Sequence, residues 1–594
     1  MMAEELRRRI LDVTLANGGH LASSLGAVEI ALALSEVFDP MRDRIVWDVG
    51  HQAYAWKILT GRDGRFGTLR QFGGLSGFPN PSESPADAAV AGHAGVAISV
   101  AEGLAAAHER RADGAHVVAV VGDAAIANGT SFEAINNCTS ACEKVIVVLN
   151  DNEMSISRPT GALARLFGRL VTGVRYNRVK LAAENAGHRL KLTFLRGLYH
   201  RLESRVKGLF VGSAFFERFG LRYIGPVDGH DLAALKRAFS VAKADKRSVL
   251  VHVVTKKGRG YAPAEQNPTK WHGIGPQRQD AAKEKVRTWS DAFGEALSEL
   301  ARRDDRVVAL TAGMKTGVGL QGFAAEFPRR FFDTGISEGH MVSFAAGLAA
   351  GGMRPVVAVY STFLQRAVDQ VMHDVCLSNL PVVFCVDRAG VVGTDGVTHQ
   401  GLYDLAMLRC LPNLTICQPK DEADLRALLA EALARPGPTV IRYPRGAVPR
   451  RQECRRPALR QPDCGGQSAD RFPPSAALSI WATGDQLEKA QRVAAAFPGA
   501  EVVHARYLKP FDAALLARQR AAGRRIVSLE NAAVAGGFGE AIGADIRFGW
   551  PDSFIPHGTV GELERACGLD VDSIVSRLET FCINLPLDET GKIA

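Results

Sequence analysis

Asp123 and Asn152 are the first residues whose types and spacing could do chemistry. Each follows a short apolar run, Val117–Val121 and Val145–Leu149, and they lie twenty-nine residues apart with a helical stretch around Ser131–Asn137 between them. That order describes a β-α-β unit, whose ligands gather at the carboxyl ends of the strands. A carboxylate and an amide carbonyl are hard oxygen donors suited to Mg2+, which also keeps phosphate oxygens in its shell. Gly122 lets the backbone turn tightly beside them. A strand-end Gly-Asp alone is weak; the pair is the signal. Histidines are also frequent at turns: His20, His51, His93, His272 and His399. An imidazole pKa near ~6.5 suits proton transfer at neutral pH, although a lone histidine is more often a structural hydrogen-bonder.

Such residues need a scaffold that brings strand ends together. Short β-branched runs alternate with Ala/Leu-rich stretches: His116–Val121, Val145–Asn150, Val249–Val254, Val307–Leu310, Pro355–Tyr360, Pro381–Val386 and Arg525–Leu529. A further strand over Ile45–Val49 leads directly to His51. Continuous apolar strands separated by helices predict an α/β fold with parallel sheets flanked by helices. Two polar, proline-bearing breaks, Ala262–Arg287 and Pro449–Pro474, divide the chain into three expected domains at 1–285, 286–455 and 470–594.

Composition narrows the class. At 594 residues the chain exceeds one hydrophobic core, and 46% hydrophobic with 23% charged residues is ordinary for a globular protein. The best membrane-span candidate, Met341–Met353, falls short of the ~18 residues required and reads as a buried helix. Met1–Ile10 carries charges of both signs and has no signal-peptide core, and the ten cysteines include no Cys-x-x-Cys pair, so a reducing cytoplasm is expected. The net charge of +9 traces to residues 158–218, with thirteen Lys and Arg against three acidic residues. A basic surface helix or mobile loop is one reading of that excess and attraction of anionic substrates or polyanions the other, and neither nucleic acid nor membrane is an expected partner.

Longer blocks carry a resemblance. They are Gly18-Gly-His-Leu-Ala-Ser-Ser-Leu25, Asp48-Val-Gly-His-Gln-Ala-Tyr54, Lys57-Ile-Leu-Thr-Gly61, Leu149-Asn-Asp-Asn-Glu-Met-Ser-Ile156 and Tyr223-Ile-Gly-Pro-Val-Asp-Gly-His230. Tyr360-Ser-Thr-Phe-Leu-Gln-Arg366, Asp387-Arg-Ala-Gly390, Asp395-Gly-Val-Thr-His-Gln-Gly401, Glu530-Asn and Gly536-Gly-Phe-Gly539 follow in the same order. The chain resembles the 1-deoxy-D-xylulose-5-phosphate synthase family of transketolase-like enzymes. The resemblance implies a three-domain transketolase-like fold, a homodimer, and thiamine diphosphate with Mg2+ as cofactors. It implies decarboxylative carboligation of pyruvate with glyceraldehyde 3-phosphate, supplying isoprenoid, thiamine and pyridoxal precursors.

The resemblance also assigns residues. Glu338, in Asp333-Thr-Gly-Ile-Ser-Glu-Gly-His340, matches the carboxyl group that serves the cofactor's pyrimidine ring; seen alone it would cap the following helix. His51 and His399 match proton-transferring groups at the substrate, and His20 and His272 line the same site. Phe363 matches the aromatic residue packing on the pyrimidine. Ser76, Gly92, His93, Ala94, Ala124, Ala125, Tyr261 and the Lys256-Lys257 pair match cofactor contacts. Asp123, Asn152 and Met154 match the metal ligands. Tyr360, Arg388, Asp395, His399 and Arg445 match the substrate site, where planar guanidinium groups suit a phosphate; in Ile441-Arg-Tyr-Pro-Arg-Gly446, either Arg442 or Arg445 could point inward.

Three departures from the family pattern stand out. Gly-Asp-Gly is here Gly122-Asp123-Ala124, Glu-Gln-His is Glu338-Gly339-His340, and a hydroxyl-rich loop is Gly92-His93-Ala94-Gly95-Val96-Ala97. If Gly95–Ala97 face the diphosphate, the lost hydroxyls predict looser cofactor retention, with the Gly95 amide free to approach a phosphate. Ala124 is harmless only at φ < 0. These changes leave two alternatives open: a sibling carboligase with another donor or acceptor, and a degenerate paralogue acting as a binding or assembly partner.

Overall fold

The computed structural model describes residues 2–152, 211–277, 286–449 and 477–583. The expected ligand Met154, most of the basic segment and most of the second polar break lie outside the described residues.

The first compact unit comprises Met1–Ala281 with Gly335–Ser337. Its strands are β1 (Arg44–Trp47), β2 (Val117–Gly122), β3 (Ile146–Asp151), β4 (Arg222–Asp228) and β5 (Val249–Val254). They form one sheet in the order β1-β2-β3-β5-β4, parallel throughout. The central strands are apolar without a break because both faces are covered. Val118 and Val120 join a cluster with Leu25, Trp56 and Phe239, whereas Val117, Ala119 and Val121 join another with Ile98, Ala101 and Ile135. Alternate side chains serve opposite faces, so two cores leave no polar position within the run. β1 ends two residues earlier than expected. Val49 has φ 58° and Gly50 φ 80°, which no extended strand accommodates.

The second unit comprises Ala282–Thr334 with Glu338–Ala594. It contains β6 (Val307–Thr311), β7 (Phe331–Asp333), β8 (Arg354–Tyr360), β9 (Val383–Asp387), β10 (Thr415–Cys417), β11 (Thr439–Arg442), β12 (Leu478–Thr483), β13 (Glu501–Ala505), β14 (Tyr507–Lys509), β15 (Arg525–Ala533) and β16 (Ile546–Trp550). One sheet runs β14-β10-β11-β9-β8-β6-β7 and another β13-β12-β15-β16. All pairings are parallel except that of β14 with β10, which makes β14 an antiparallel edge. The helix expected within Met341–Met353 spans Glu338–Ala350 and buries Met341, Val342, Ala345, Ala346 and Ala349. Among the described residues no helix is long and apolar enough to cross a membrane.

One buried carboxyl group works against the fold. Glu102, on the helix Ala97–Arg111, is 5% exposed, and its Oε1 has no hydrogen-bond partner. Burial pushes its pKa from 4.5 to about 7. The folded protein therefore holds this proton more tightly than the unfolded chain does. The favourable contribution of the protonated form is complete below pH 4.5 and is lost as pH rises to about 7. Glu102→Leu should accordingly stabilise the protein more at pH 8 than at pH 5, by a difference on the order of 1–3 kcal/mol. Thermal unfolding of both proteins across that range checks this, and a pH-independent difference would contradict it.

Candidate active site

Register places the chemistry of the first unit on one edge. Gly122 pairs with Asn150, Asp151 with Val254 and Trp47 with Val120. Since the strands are parallel, Asp123, Asn152, Lys257 and the turn at 48–52 all emerge from the carboxyl edge of the sheet. Asp123 is 6% exposed and Lys257 5%. Burial pushes the Asp123 carboxyl up to about 8, aided by the charge of Asp151 and opposed by Lys257. Lys257 is itself pushed down to about 8 by burial, opposed by Asp123. The Oδ1 atom of Asn152 is buried without a hydrogen-bond partner. A buried carboxylate and an orphaned amide oxygen at one sheet edge fit a hard divalent cation, which would satisfy both.

Histidines gather at the same edge. The rings of His20, His51 and His272 are 5.4–5.9 Å apart, and Phe78 lies 5.4 Å from His20. Ser24 Oγ donates to the His51 carbonyl at 2.9 Å, the His20 amide donates to Tyr54 Oη at 3.1 Å, and Ser23 Oγ lies 3.2 Å from His272 Nδ1. Burial, with the charges of His20 and Lys257, holds His51 well below its usual pKa, and burial with Lys257 does the same for His272. Both imidazoles are neutral at pH 7, and each is a weaker base than a free imidazole.

The loop at 92–97 corrects an expectation. The Gly95 amide does not stand free for a phosphate. It donates to both carboxylate oxygens of Asp48 at 2.9 Å, and the Val96 and Ala97 amides donate to Asp48 Oδ1 at 3.1 Å. Gly95 has φ 86°, and a Cβ there would meet Asn128 side-chain atoms at 2.6–2.7 Å. Within this loop Gly92 is buried, and His93 and Ala94 are half-buried.

The remaining first-unit residues hold local structure. The Ala125 amide closes a turn on the Gly122 carbonyl at 3.0 Å, and Ala124 keeps φ < 0. Ser76 Oγ accepts from the Phe78 amide at 3.2 Å, while the Ser76 amide donates to Glu83 at 2.6 Å. The ring of Tyr261 packs edge-on against Trp271 at 5.2 Å. Of the lysine pair, Lys256 is exposed and bonds Glu265, whereas Lys257 is the buried one beside Asp123.

In the second unit the residues expected to meet substrate do cluster. Tyr360, at the end of β8, stacks on Phe363 at 5.8 Å, and the ring of His399 meets Phe363 edge-on at 5.7 Å. The Arg388 guanidinium lies 3.9 Å over the Tyr360 ring. Arg445 donates to Asp395 at 2.9 Å and to the Val392 carbonyl at 3.1 Å. Arg442 instead is buried against Asp404 at 3.0 Å and Gln418 at 2.7 Å, so of the two arginines it is the structural one. Glu338 is 3% exposed with Oε2 lacking a hydrogen-bond partner. Burial pushes its pKa up, opposed by Arg366, whose Nη1 lies 3.9 Å away. A buried, incompletely bonded acid fits a partner that presents a ring nitrogen.

Sequence reasoning missed the groups that brace this site. Asp48 lies three residues before His51, and nothing in its sequence neighbourhood points to its partners at 95–97. Lys57, fully buried, pairs with Glu83 at 2.5 Å, and Arg62 with Asp87 at 2.5 Å. The signal was present in two cations beside Gly61 followed by two acids in the stretch 83–87.

Comparison with known proteins identifies what the chain is similar to. A family model described as 1-deoxy-D-xylulose-5-phosphate synthase matches residues 1–255. Models for the transketolase pyrimidine binding domain and the transketolase C-terminal domain match residues 285–451 and 471–574. The protein named 1-deoxy-D-xylulose-5-phosphate synthase 1 of Geobacter metallireducens is 46% identical over 611 residues, covering 98% of this chain and 96% of its own. A 1-deoxy-D-xylulose-5-phosphate synthase of Thermomicrobium roseum is 46% identical over 613 residues, covering 100% and 96%. Among solved structures, transketolase from Leishmania mexicana is 20% identical with a TM-score of 0.43, covering 99% of each chain.

Restoring a hydroxyl at position 95 should therefore harm the protein. Gly95→Ser places a side chain at positive φ and against Asn128, and should cost about 1–3 kcal/mol of stability. Asn128 is the N-cap of the helix Gly129–Ala141. Glycine also serves at that position at a cost of only a few tenths of a kcal/mol. In an Asn128→Gly background the loss from Gly95→Ser should thus shrink measurably. Chemical unfolding of the four proteins of this cycle tests the contact; equal losses in both backgrounds would exclude it.

Proposed function

The chain belongs to the 1-deoxy-D-xylulose-5-phosphate synthase family, and from that membership we propose that it condenses pyruvate with D-glyceraldehyde 3-phosphate, releasing CO2 and giving 1-deoxy-D-xylulose 5-phosphate. The observation that carries this reading is 46% identity to named synthases over nearly the whole of both chains. Neither the sibling-carboligase nor the degenerate-paralogue reading draws support from these relatives.

Thiamine diphosphate, when bound, supplies the nucleophilic carbon and the electron sink for decarboxylation and carbon–carbon bond formation. Asp123 and Asn152 would hold Mg2+ with the diphosphate, and Lys257 would contribute positive charge beside them. Glu338 would hold a proton toward a pyrimidine ring nitrogen through its unbonded Oε2. Its raised pKa suits that task, because a carboxyl that keeps its proton donates a hydrogen bond. His51 and His399 would move protons at the carbonyl oxygens of the reacting substrates, with His51 neutral at pH 7.

Arg388 and Arg445 would bind the aldose phosphate. Arg388 keeps its charge over Tyr360, and Arg445 is steadied by Asp395. The planar donor fork of arginine matches phosphate oxygens. A homodimer in the cytoplasm, feeding isoprenoid, thiamine and pyridoxal precursor synthesis, completes the proposal.

Product analysis with carbon-labelled pyruvate and glyceraldehyde 3-phosphate, with both cofactors present and absent, tests the function. Label should leave as CO2 and appear in the ketose phosphate only in the complete mixture. Turnover of xylulose 5-phosphate in place of pyruvate would instead select the transketolase-like alternative. Glu338→Gln should lower kcat by at least ~100-fold and slow hydrogen–deuterium exchange at the thiazolium C2, with the fold retained; unchanged exchange would remove Glu338 from this role. Arg388→Ala should raise KM for the phosphorylated acceptor about 10- to 100-fold while moving that for pyruvate little, since a charge-assisted bond is worth about 1.5–3 kcal/mol.

A further inference from the structure

We propose that Asp48 is a positioning residue for the reaction: its buried carboxylate locks a strained turn that aims His51. The side chain is 1% exposed and accepts from three consecutive amides, those of Gly95, Val96 and Ala97, between 2.9 and 3.1 Å. Those amides lie forty-seven to forty-nine residues away in sequence, at the start of the helix Ala97–Arg111. A carboxylate that satisfies all three is held at a single place relative to that helix.

Directly after this anchor the backbone leaves ordinary conformations. Val49 sits at φ 58° and Gly50 at φ 80°, and the Gly50 amide closes back on the Asp48 carbonyl at 2.6 Å. A β-branched residue in the left-handed region is an outlier that persists only when its surroundings over-determine it. Here they do. A Cβ on Gly50 would meet Pro79 Cδ at 2.3 Å and Ala91 at 2.9 Å, so the chain is confined from that side. On the far side of His51, Gln52 Oε1 accepts from Asn150 Nδ2 at 2.8 Å, and Asn150 Oδ1 accepts from Thr255 Oγ1 at 2.6 Å. His51 therefore stands between two anchored neighbours, one fixed to the 95–97 loop and the other to the ends of β3 and β5.

Helix capping alone does not account for this geometry. A cap needs no strained valine beside it, and a serine or aspartate just ahead of Ala97 would serve the same amides locally. The strain is explained if its product is the position of the His51 ring, 5.4 Å from His272 and 5.9 Å from His20. This inference rests on the reading of His51 as a proton-transferring group.

The test uses the full-length protein saturated with thiamine diphosphate and Mg2+, with kcat, KM and the thermal midpoint measured for each variant. His51→Ala should be at least ~100-fold slower. Asp48→Ala should lose about 10- to 100-fold in kcat, the scale set by misplacing a catalytic group by about 1 Å, with little change in KM for pyruvate. Asp48→Asn keeps an acceptor oxygen for the three amides and should recover most of that loss. In the His51→Ala background, Asp48→Ala should slow the reaction less than about threefold further, because a group acting through His51 has nothing left to position. If Asp48→Ala does not fold, Val49→Gly replaces it: strain is relieved, the midpoint holds or rises, and a loss of kcat should appear that vanishes in the His51→Ala background. Fully additive losses, or wild-type kcat in Asp48→Ala, would overturn the proposal. Wild-type turnover in His51→Ala would overturn the role of His51, and this proposal with it.

Discussion

The register of the central parallel strands is the constraint on which the first unit depends, and hydrophobic patterning cannot set it. A strand with one buried face is locked by alternation, since a slip of one residue turns its apolar side chains to water. β2 and the run Ile146–Leu149 of β3 are buried on both faces, so within them a slipped pairing would still bury only apolar groups. The polar groups at their ends decide. Asn150 is bonded to both Gln52 and Thr255, His252 lies 3.0 Å from Asp151, and Tyr223 lies 2.7 Å from the other nitrogen of His252. A slip would leave these buried groups unpaired, at about 1–3 kcal/mol each. The residues that key the register therefore adjoin those assigned to chemistry.

Buried charges extend that logic to the irregular chain between Gly73 and Asp87. This stretch has no regular structure of its own, yet it carries Phe78 to the edge where the histidines meet. Glu83 binds Lys57 through one oxygen and the Ser76 amide through the other, while Asp87 takes Arg62 and the Asn80 amide. Buried ion pairs of this kind add little net stability, because desolvation offsets most of their attraction. Their directional bonds do restrict the loop, since any other path strands a charge out of water. The Arg442–Asp404 pair plays the same part in the second unit, where Arg442 also reaches the Asn531 carbonyl at 3.1 Å.

What could be read from sequence follows the same division. The central strands were legible because double burial writes an unbroken apolar run, and Val249–Val254 was placed to the residue. The short strands β7 and β10 were not, since three residues make no pattern. β14 was missed for the same reason, and its antiparallel pairing depends on a partner far away in sequence. The end of β1 was misjudged because valine is a strand-former by propensity and sits here at positive φ, where tertiary contacts override propensity. Among site residues, the groups assigned to chemistry could be named from blocks and turns. The braces could not: Asp48 to Gly95 and Arg62 to Asp87 are pairs that only the folded chain brings together.

The departures from the family pattern are clearest in this light. Counting hydroxyls across 92–97 suggests a damaged loop, but its amides are held by Asp48 whatever side chains they carry. Gly95 and Asn128 share one volume, so a small residue on one side allows a large one on the other. Gly339 stands in similar relation to Gln370, whose Oε1 lies 3.1 Å from where a Cβ would be. Ala124 adds its methyl at negative φ, where any residue fits. Each departure thus concerns local packing, whereas Asp123 and Asn152 follow the ends of β2 and β3 and Glu338 opens a helix with a buried face.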